Sequence, residues 1–319
     1  MNKAIVITSI FPPTPAISEF SKKAGWNLIV VGDKKTPAGW KHEGVTYLSP
    51  EDQDKEFEEI SKSIPWNNYA RKIIGYKYAI RAGSEYIADS DDDNVPFENW
   101  GVINQCRSTV PSEHLKIVNV YKHFSKQNIW PRGYPLELVT SELDCDFEKI
   151  GIWQGLVDGD TDVDAIYRLT SNKTVKFDSE GPVVLSQGSF CPINSQNTIF
   201  HKDLFPLMYL PSTVTMRFTD ILRGYVAQII AWQYKYKVCF LPPSAFQKRN
   251  DHNYLKDFEQ ELPFLTKATS IINLIEKSTK NDVTLIENLR LVYRSLVKEK
   301  IVEEKELKYL DIWLNDFKQ

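Results

Sequence analysis

Three β-branched runs, separated by helix-forming segments, constrain this chain more than any other feature. KAIVITSI (3–10) and WNLIVVG (26–32) are apolar and end at Pro or Gly, as buried strands do, and EYIAD (85–89) follows them. A short helix is expected between the first two, around Ile17 to Ala24. SPEDQDKEFEEISKSI then opens on Ser49 and Pro50 with acids in its first turn, which is a helix start. Asn68 to Ala82 forms another helix, with Ala70, Ile73, Ile74 and Tyr78 on one face and Gly83 as its stop. The alternation predicts an α/β fold, a mixed and mostly parallel sheet flanked by helices.

At 319 residues the chain has room for one large domain or two smaller ones. From about 100 to 210 it is richer in Pro, Gly and isolated aromatics, predicting mixed strands and long loops. TDILRGYVAQIIAWQY (219–234) reads as a helix despite Gly224, with Thr219 or Asp220 as its cap. Beyond 262 the pattern is amphipathic and helical, with a turn near Lys280 and Asn281. We therefore expect a domain over 1–262 and a C-terminal helical appendage over 263–319.

A net charge of −3 gives no general attraction to phosphate backbones, so nucleic acid is not an expected partner. Cys106, Cys145, Cys191 and Cys239 form no CxxC pair, which argues against a zinc ribbon and predicts reduced thiols. The first apolar run is short for a signal sequence and breaks at Pro12 and Pro13, and no run reaches the roughly 20 residues of a membrane span. The expectation is a cytoplasmic protein whose membrane contact, if any, is peripheral.

EYIADSDDDNVPF (85–97) places Asp89, Asp91, Asp92 and Asp93 behind an apolar strand. If the chain stays extended there, Asp91 and Asp93 share a face and Asp92 points away. Two converging carboxylates suit a hard cation such as Mg²⁺ or Mn²⁺ that keeps positions for substrate phosphates. An EF-hand loop is excluded, because Asn94 stands where Gly is needed and Trp100 where the bidentate Glu belongs. DGDTDVDAIYRL fails likewise at Val163 and Leu169. A solvated acidic turn is the remaining structural alternative.

YARKIIGYKYAIRAGSEYIADSDDDN sets a helix, with Arg71 and Lys72 near its start, before a strand delivering acids at its carboxyl end. Ligands of open α/β sheets bind at that end. The arrangement resembles the nucleotide-sugar glycosyltransferases of the GT-A fold, whose DxD motif holds a divalent metal against the donor diphosphate. ITSIFPPTPAI, VVGDKKTP, the segment just quoted, WPRGYPLE, GIWQGLVDGDTDVDAIYRLT and FTDILRGYVAQ, in that order, resemble the motif series of the STELLO family of glycosyltransferases. A more distant likeness is to the reversibly glycosylated polypeptides, which act as UDP-arabinopyranose mutases and share a DDD motif, an RGYP segment and a GxW stretch.

The resemblance implies roles. Thr8, Ser9, Asp33 and Lys35 would line the nucleoside pocket, though Lys35 also reads as a solvated lysine. Arg71 would reach the diphosphate or base, or else form a surface ion pair. Asp91 and Asp93 would hold Mn²⁺ or Mg²⁺, with Asp92 near the ribose and His252 as third ligand in competition with Gln247. Arg249 or Lys248 would neutralise the departing diphosphate. Asp220 would be the base of an inverting transfer, or merely a helix cap. Arg132, beside Gly133, would bind the donor sugar or accept it. Asp158, Asp160 and Asp162 would bond sugar or acceptor hydroxyls, with Trp153 as a stacking platform, or form a polar turn.

The expected function is a metal-dependent glycosyltransferase moving a sugar from a nucleoside diphosphate donor, UDP-linked, to a glycan or lipid-linked acceptor. Two alternatives stand beside it: a nucleotide-sugar mutase or self-glycosylating protein using Arg132, and a non-catalytic scaffold, since plant STELLO proteins associate with cellulose synthase complexes. The C-terminal helices could support a homo-oligomer.

Overall fold

A computed structural model describes residues 2–103, 109–110, 116–117, 119–138, 149–171, 173–178, 181–249 and 252–317. The amino-terminal part runs β1 (Lys3–Thr8), α1 (Pro15–Phe20), β2 (Asn27–Val31), β3 (Val45–Leu48), α2 (Pro50–Glu56), α3 (Glu58–Ser63), α4 (Lys72–Arg81) and β4 (Tyr86–Ser90). The middle holds β5 (Asn94–Pro96), β6 (Thr109–Val110), β7 (Lys116–Ile117), α5 (Tyr121–Phe124), β8 (Ile150–Gly159), α6 (Ala165–Thr170), β9 (Val183–Leu185), β10 (Ser189–Phe190) and β11 (Asn197–His201). There follow α7 (Met216–Gln233), β12 (Lys237–Gln247), α8 (Tyr254–Leu265), α9 (Ala268–Ser278), α10 (Leu285–Lys298) and α11 (Lys305–Leu314).

The main sheet has the order β3-β2-β1-β4-β11-β8-β12-β9-β6, with β5 paired to β12. Its first four strands are parallel, and β11 enters antiparallel between β4 and β8. This is the α/β class expected, a mixed sheet between helical layers. The unbroken apolar runs follow from burial on both faces. Ala4 and Val6 of β1 pack under α4 with Ile73 and Ile74, while Ile5 and Ile7 pack under α1 with Ala16, Ile17 and Phe20.

Several boundaries differ from expectation for local reasons. Helix α1 starts earlier because the Thr14 hydroxyl caps the Ile17 N–H. The helix expected over 49–64 opens with a Ser49–Asp52 capping box but breaks at Phe57, whose φ of −131° is not helical. Helix α7 has Thr215 at its N-cap position, so Asp220 lies a full turn inside it rather than at the cap. Its Gly224 is required by close approach, since a Cβ there would lie 2.3 Å from the Ile193 carbonyl oxygen.

The boundary expected at 262 falls inside α8, and the C-terminal helices share one core with α7. Phe264, Ile271, Ile275, Leu289, Val292 and Trp313 pack in the cluster that contains Ile229 and Ile230. Buried Glu306 clamps α11 to the chain before α7 by accepting from the Tyr209 hydroxyl and from the N–H groups of Ser212 and Thr213, the last at 2.9 Å. The 263–319 segment is thus part of the domain's packing. Cys191 is a buried free thiol, whereas Cys239 is disulfide-bonded, against the expectation of reduced thiols. Cys106 and Cys145 lie outside the described residues. Among the described residues no helix is long and apolar enough to cross a membrane.

Candidate functional site

Because β1, β2 and β4 run parallel, their carboxyl ends open on one edge, and a pocket of about 420 Å³ lies there. It extends across the sheet order from Thr8, Ser9, Gly32 and Asp33, past Asp91, Asp92 and Asp93, to Arg217, Asp220, Arg249 and His252.

The β1–β2 end is tightly bonded. Asp33 accepts from the N–H groups of Lys34 and Asn67, both at 2.7 Å, and the Ser9 hydroxyl donates to Asp92. Arg71 is among the residues lining the pocket, but its side chain is buried and every guanidinium nitrogen is engaged in the wall. Nε and Nη2 donate to Gln53 Oε1, Nη1 to the carbonyls of Ser61 and Ile64, and Nη2 also to the Ser61 hydroxyl, while Trp66 stacks on the guanidinium at 3.4 Å. Burial lowers its pKa to about 10. Arg71 is therefore a buried tie between α2, α3 and the start of α4. Lys35 is exposed and lies outside the pocket lining; Lys34 instead covers Trp66.

The acids are presented on a turn rather than an extended strand, since the Asn94 N–H reaches back to the Asp91 carbonyl. All three therefore face the pocket, and Asp92 is not turned away from it. Asp91 Oδ1 accepts from the Tyr69 hydroxyl at 2.7 Å and from buried Lys72 Nζ at 3.1 Å. Asp93 Oδ2 accepts from Gln247 Nε2 at 2.9 Å, but Asp93 Oδ1 is buried with no hydrogen-bond partner. Burial raises the pKa of both Asp92 and Asp93 to about 6, and the neighbouring Asp91 charge adds to it. These are carboxylates short of positive charge, a donor set that fits a hard divalent cation taking its remaining ligands from phosphate or water.

The third-ligand question has a geometric answer for Gln247. Its amide oxygen accepts from Gln196 at 2.6 Å while its nitrogen holds Asp93, so both polar atoms are engaged and it orients a carboxylate. His252 is bonded through Nδ1 to Asp257 at 3.0 Å. Among the described residues, no three His, Cys, Asp or Glu side chains come together as a metal-holding group, so the expected Asp91–Asp93–His252 set is not assembled.

At the α7 end, buried Arg132 lies between two carboxylates. Nε donates to Asp162 at 2.8 Å, Nη2 to both oxygens of Asp220 at 3.1 and 3.2 Å, and Nη1 to the Arg217 carbonyl. Burial alone would lower its pKa, but Asp162 and Asp220 outweigh that and hold the guanidinium charged; Asp162 in turn is lowered to about 2, Arg132 overcoming burial. The RGYP segment is shaped for this. Gly133 has a φ of +85°, and a Cβ there would lie 2.6 Å from Ile221 on the helix that carries Asp220.

Asp220 also accepts from the Ser195 N–H at 3.1 Å, the Ser195 hydroxyl at 3.2 Å and the Ile221 N–H at 3.0 Å. Ser195 Oγ lies 2.6 Å from Tyr69 Oη, so close contacts run from Asp91 through Tyr69 and Ser195 to Asp220. Only two hydroxyl hydrogens serve these three oxygen pairs. Of the trio Asp158, Asp160 and Asp162, only Asp162 lines the pocket. Asp158 accepts from the Phe177 N–H, and Asp160 binds Arg168 and the Arg249 N–H. Trp153 is buried in the sheet core, so it offers no stacking platform. Arg249 lines the pocket with its Nη1 buried and unpartnered and its Nη2 3.7 Å from Asp162.

Tyr69, Ser195, Gln196 and Asp257 join the site without having been singled out from sequence, as does Lys72, which was noted there only as a basic residue near a helix start. Tyr69 and Lys72 lie in the quoted YARKIIGYKY region, three residues apart and so on one side of a helical turn, which was the available signal.

A family model described as STELLO glycosyltransferases matches residues 217–319. The probable glycosyltransferase STELLO1 of Arabidopsis thaliana is 28% identical over 99% of this chain, and its counterpart STELLO2 is 27% identical over the same share. The chain spans 44% of the length of each. Among solved structures, a mycobacterial protein overlaps 84% of this chain and 75% of its own, with a TM-score of 0.43 and 9% identity. Glucosyl-3-phosphoglycerate synthase from Mycobacterium tuberculosis, solved with Mn²⁺, UDP-glucose and phosphoglyceric acid, overlaps 84% and 80%, with a TM-score of 0.42 and 10% identity. By sequence, this chain is similar to the STELLO glycosyltransferases over nearly its whole length.

Proposed function

We propose that the chain transfers a sugar from a nucleoside diphosphate donor, UDP-linked, to a hydroxyl of a glycan or lipid-linked acceptor, with Mn²⁺ or Mg²⁺ at Asp91 and Asp93. One observation carries the reading: two buried atoms of opposite charge, Asp93 Oδ1 and Arg249 Nη1, are left without partners on the same pocket. Native proteins rarely leave such atoms unsatisfied, and each costs about 1–3 kcal/mol when they do. A cation bound to a diphosphate supplies positive charge to the first and negative charge to the second. Sequence kinship with glycosyltransferases supports the same class.

Within this reading Thr8, Ser9 and Asp33 form the nucleoside end, Asp93 with the free side of Asp91 holds the cation, and Arg249 faces the leaving diphosphate. The cation, when bound, supplies Lewis-acid neutralisation of that leaving group. Self-glycosylation at Arg132 is disfavoured, because a nucleophilic nitrogen must shed its proton and this guanidinium is kept charged by two carboxylates. A pure scaffold is disfavoured by the two unsatisfied atoms.

The test is thermal unfolding with UDP and Mn²⁺ against UDP with a chelator. A ligand at about 100 times its Kd stabilises the native state by about 2.7 kcal/mol, a rise of several degrees. The rise should vanish without metal and in Asp93→Asn. An unchanged melting temperature for the wild type in UDP and Mn²⁺ overturns the proposal.

A further inference from the structure

We infer that His252, oriented by Asp257, is the group that takes the proton from the incoming hydroxyl; this rests on the transferase reading above. The inference begins with the carboxylates that are unsuited to the task. Asp220, placed to be a base by its position on α7, has its oxygens occupied by Arg132, by the Ser195 N–H and hydroxyl, and by the Ile221 N–H. A base must turn a free lone pair toward the acceptor. Asp162 is bound by Arg132 and by the Asn194 amide at 2.8 Å. Asp33 and Asp92, the latter accepting from Ser9, are toward the nucleoside end of the pocket, and Asp91 and Asp93 are assigned to the cation.

His252 and Asp257 remain, and both line the pocket at its α7–α8 end. Asp257 is fixed in the first turn of α8, where its N–H bonds the Asn253 carbonyl, and its side chain is only 11% exposed. Its Oδ2 lies 3.0 Å from His252 Nδ1. That contact makes Nδ1 the protonated nitrogen and leaves Nε2 with the lone pair. The imidazole is 32% exposed, open enough to meet a substrate hydroxyl and exchange its proton with water afterwards. Arg217 and Arg249 lie close enough to influence Asp257, and the Asp257 carboxylate offsets their charge when the ring becomes imidazolium.

The step balances. The acceptor oxygen forms a bond to the anomeric carbon, and its proton passes to Nε2. The bond from that carbon to the diphosphate oxygen breaks, its electron pair leaving on the diphosphate, and the imidazolium returns the proton to solvent. Asp257 acts as a positioning residue.

Two measurements test this. In ¹⁵N NMR of the imidazole, His252 Nε2 should be the unprotonated, unligated nitrogen both in the free protein and with UDP and Mg²⁺. A protonated Nε2 in the free protein, or ligation of Nε2 on adding UDP and Mg²⁺, overturns the assignment. With a panel of UDP-sugars and water as acceptor, His252→Ala should keep Mn²⁺-dependent UDP affinity within about twofold while UDP release falls by about 100-fold or more, partly restored by free imidazole. Asp257→Asn should lower kcat by about tenfold with KM unchanged. Loss of Mn²⁺-dependent UDP affinity in His252→Ala, or turnover in that variant equal to wild type, overturns the inference and leaves the transferase reading intact. If the wild type does not bind UDP with Mn²⁺, both fall together.

Discussion

Two parts of the pocket wall handle polar groups in opposite ways. At the β1–β2 end, Arg71 spends every nitrogen on Gln53, Ser61 and Ile64, and Asp33 is held by two backbone N–H groups. In the middle of the pocket Asp93 Oδ1 has no partner, and toward α8 Arg249 Nη1 has none and His252 is engaged through only one nitrogen. A satisfied buried charge rigidifies the wall around it. An unsatisfied one is an energetic cost that a ligand of matching charge removes. The sharpest way to break this contrast is to remove one residue of each kind and compare stability with binding.

Arg71→Met should give the largest effect on folding. It strands the Gln53 oxygen and the Ser61 and Ile64 carbonyls in the interior, and loss of such a network costs about 3–5 kcal/mol. Urea denaturation should show it, and any loss of UDP affinity should scale with the loss of folded protein. If stability were unchanged and UDP affinity collapsed, Arg71 would belong with the binding groups after all.

Asp93→Asn should do the reverse, lowering Mn²⁺-dependent UDP affinity by about 100-fold while leaving the fold intact, since it removes a direct oxygen donor to the cation. Its stability change has a defined sign. The folded pKa of about 6 is above the ordinary value of 3.8, so the ionised carboxylate opposes folding. That opposition is absent below about pH 3.8, grows between there and pH 6, and is complete above it. In metal-free buffer at pH 7.5 the variant should therefore be at least as stable as wild type, by up to about 2–3 kcal/mol. A destabilised Asp93→Asn would show that Asp93 is structural.

The contrast also explains what could be read in advance. Strands β1, β2 and β4 and the acids at the end of β4 were legible because β-branched runs closed by Gly or Pro have few other uses. The long pair β8 and β12 was not. Buried Gln154 in β8 bonds Asn194 and Thr198, so a polar residue stands in the core and hides the strand signal. The fate of Arg71 was invisible because its partners lie in helices that read as ordinary surface segments. The His252–Asp257 contact was equally hidden, since it joins a loop to the first turn of a helix whose start was expected at a different place. Patterns report which groups are present; the count of their satisfied bonds, which separates wall from site, needs coordinates.

The smallest effects test the middle of the pocket, where a satisfied residue serves an unsatisfied one. Gln247 gives its nitrogen to Asp93 and accepts through its oxygen from Gln196, so on the proposed reading it aims Asp93 Oδ1 rather than binds. Groups that orient a metal-holding side chain typically change metal affinity by about 10–100-fold when removed. Gln247→Leu should be near the lower figure, because Asp93 remains present and the turn from Asp91 to Asn94 still places it. Lys35→Ala, outside the pocket lining, should change UDP affinity less than about twofold, near the limit for a surface charge. Isothermal titration of UDP into the Mn²⁺-loaded variants ranks all three residues. An order in which Gln247→Leu weakens binding as much as Asp93→Asn would make Gln247 a direct ligand, and its bond to Gln196 would then have to open when the cation binds.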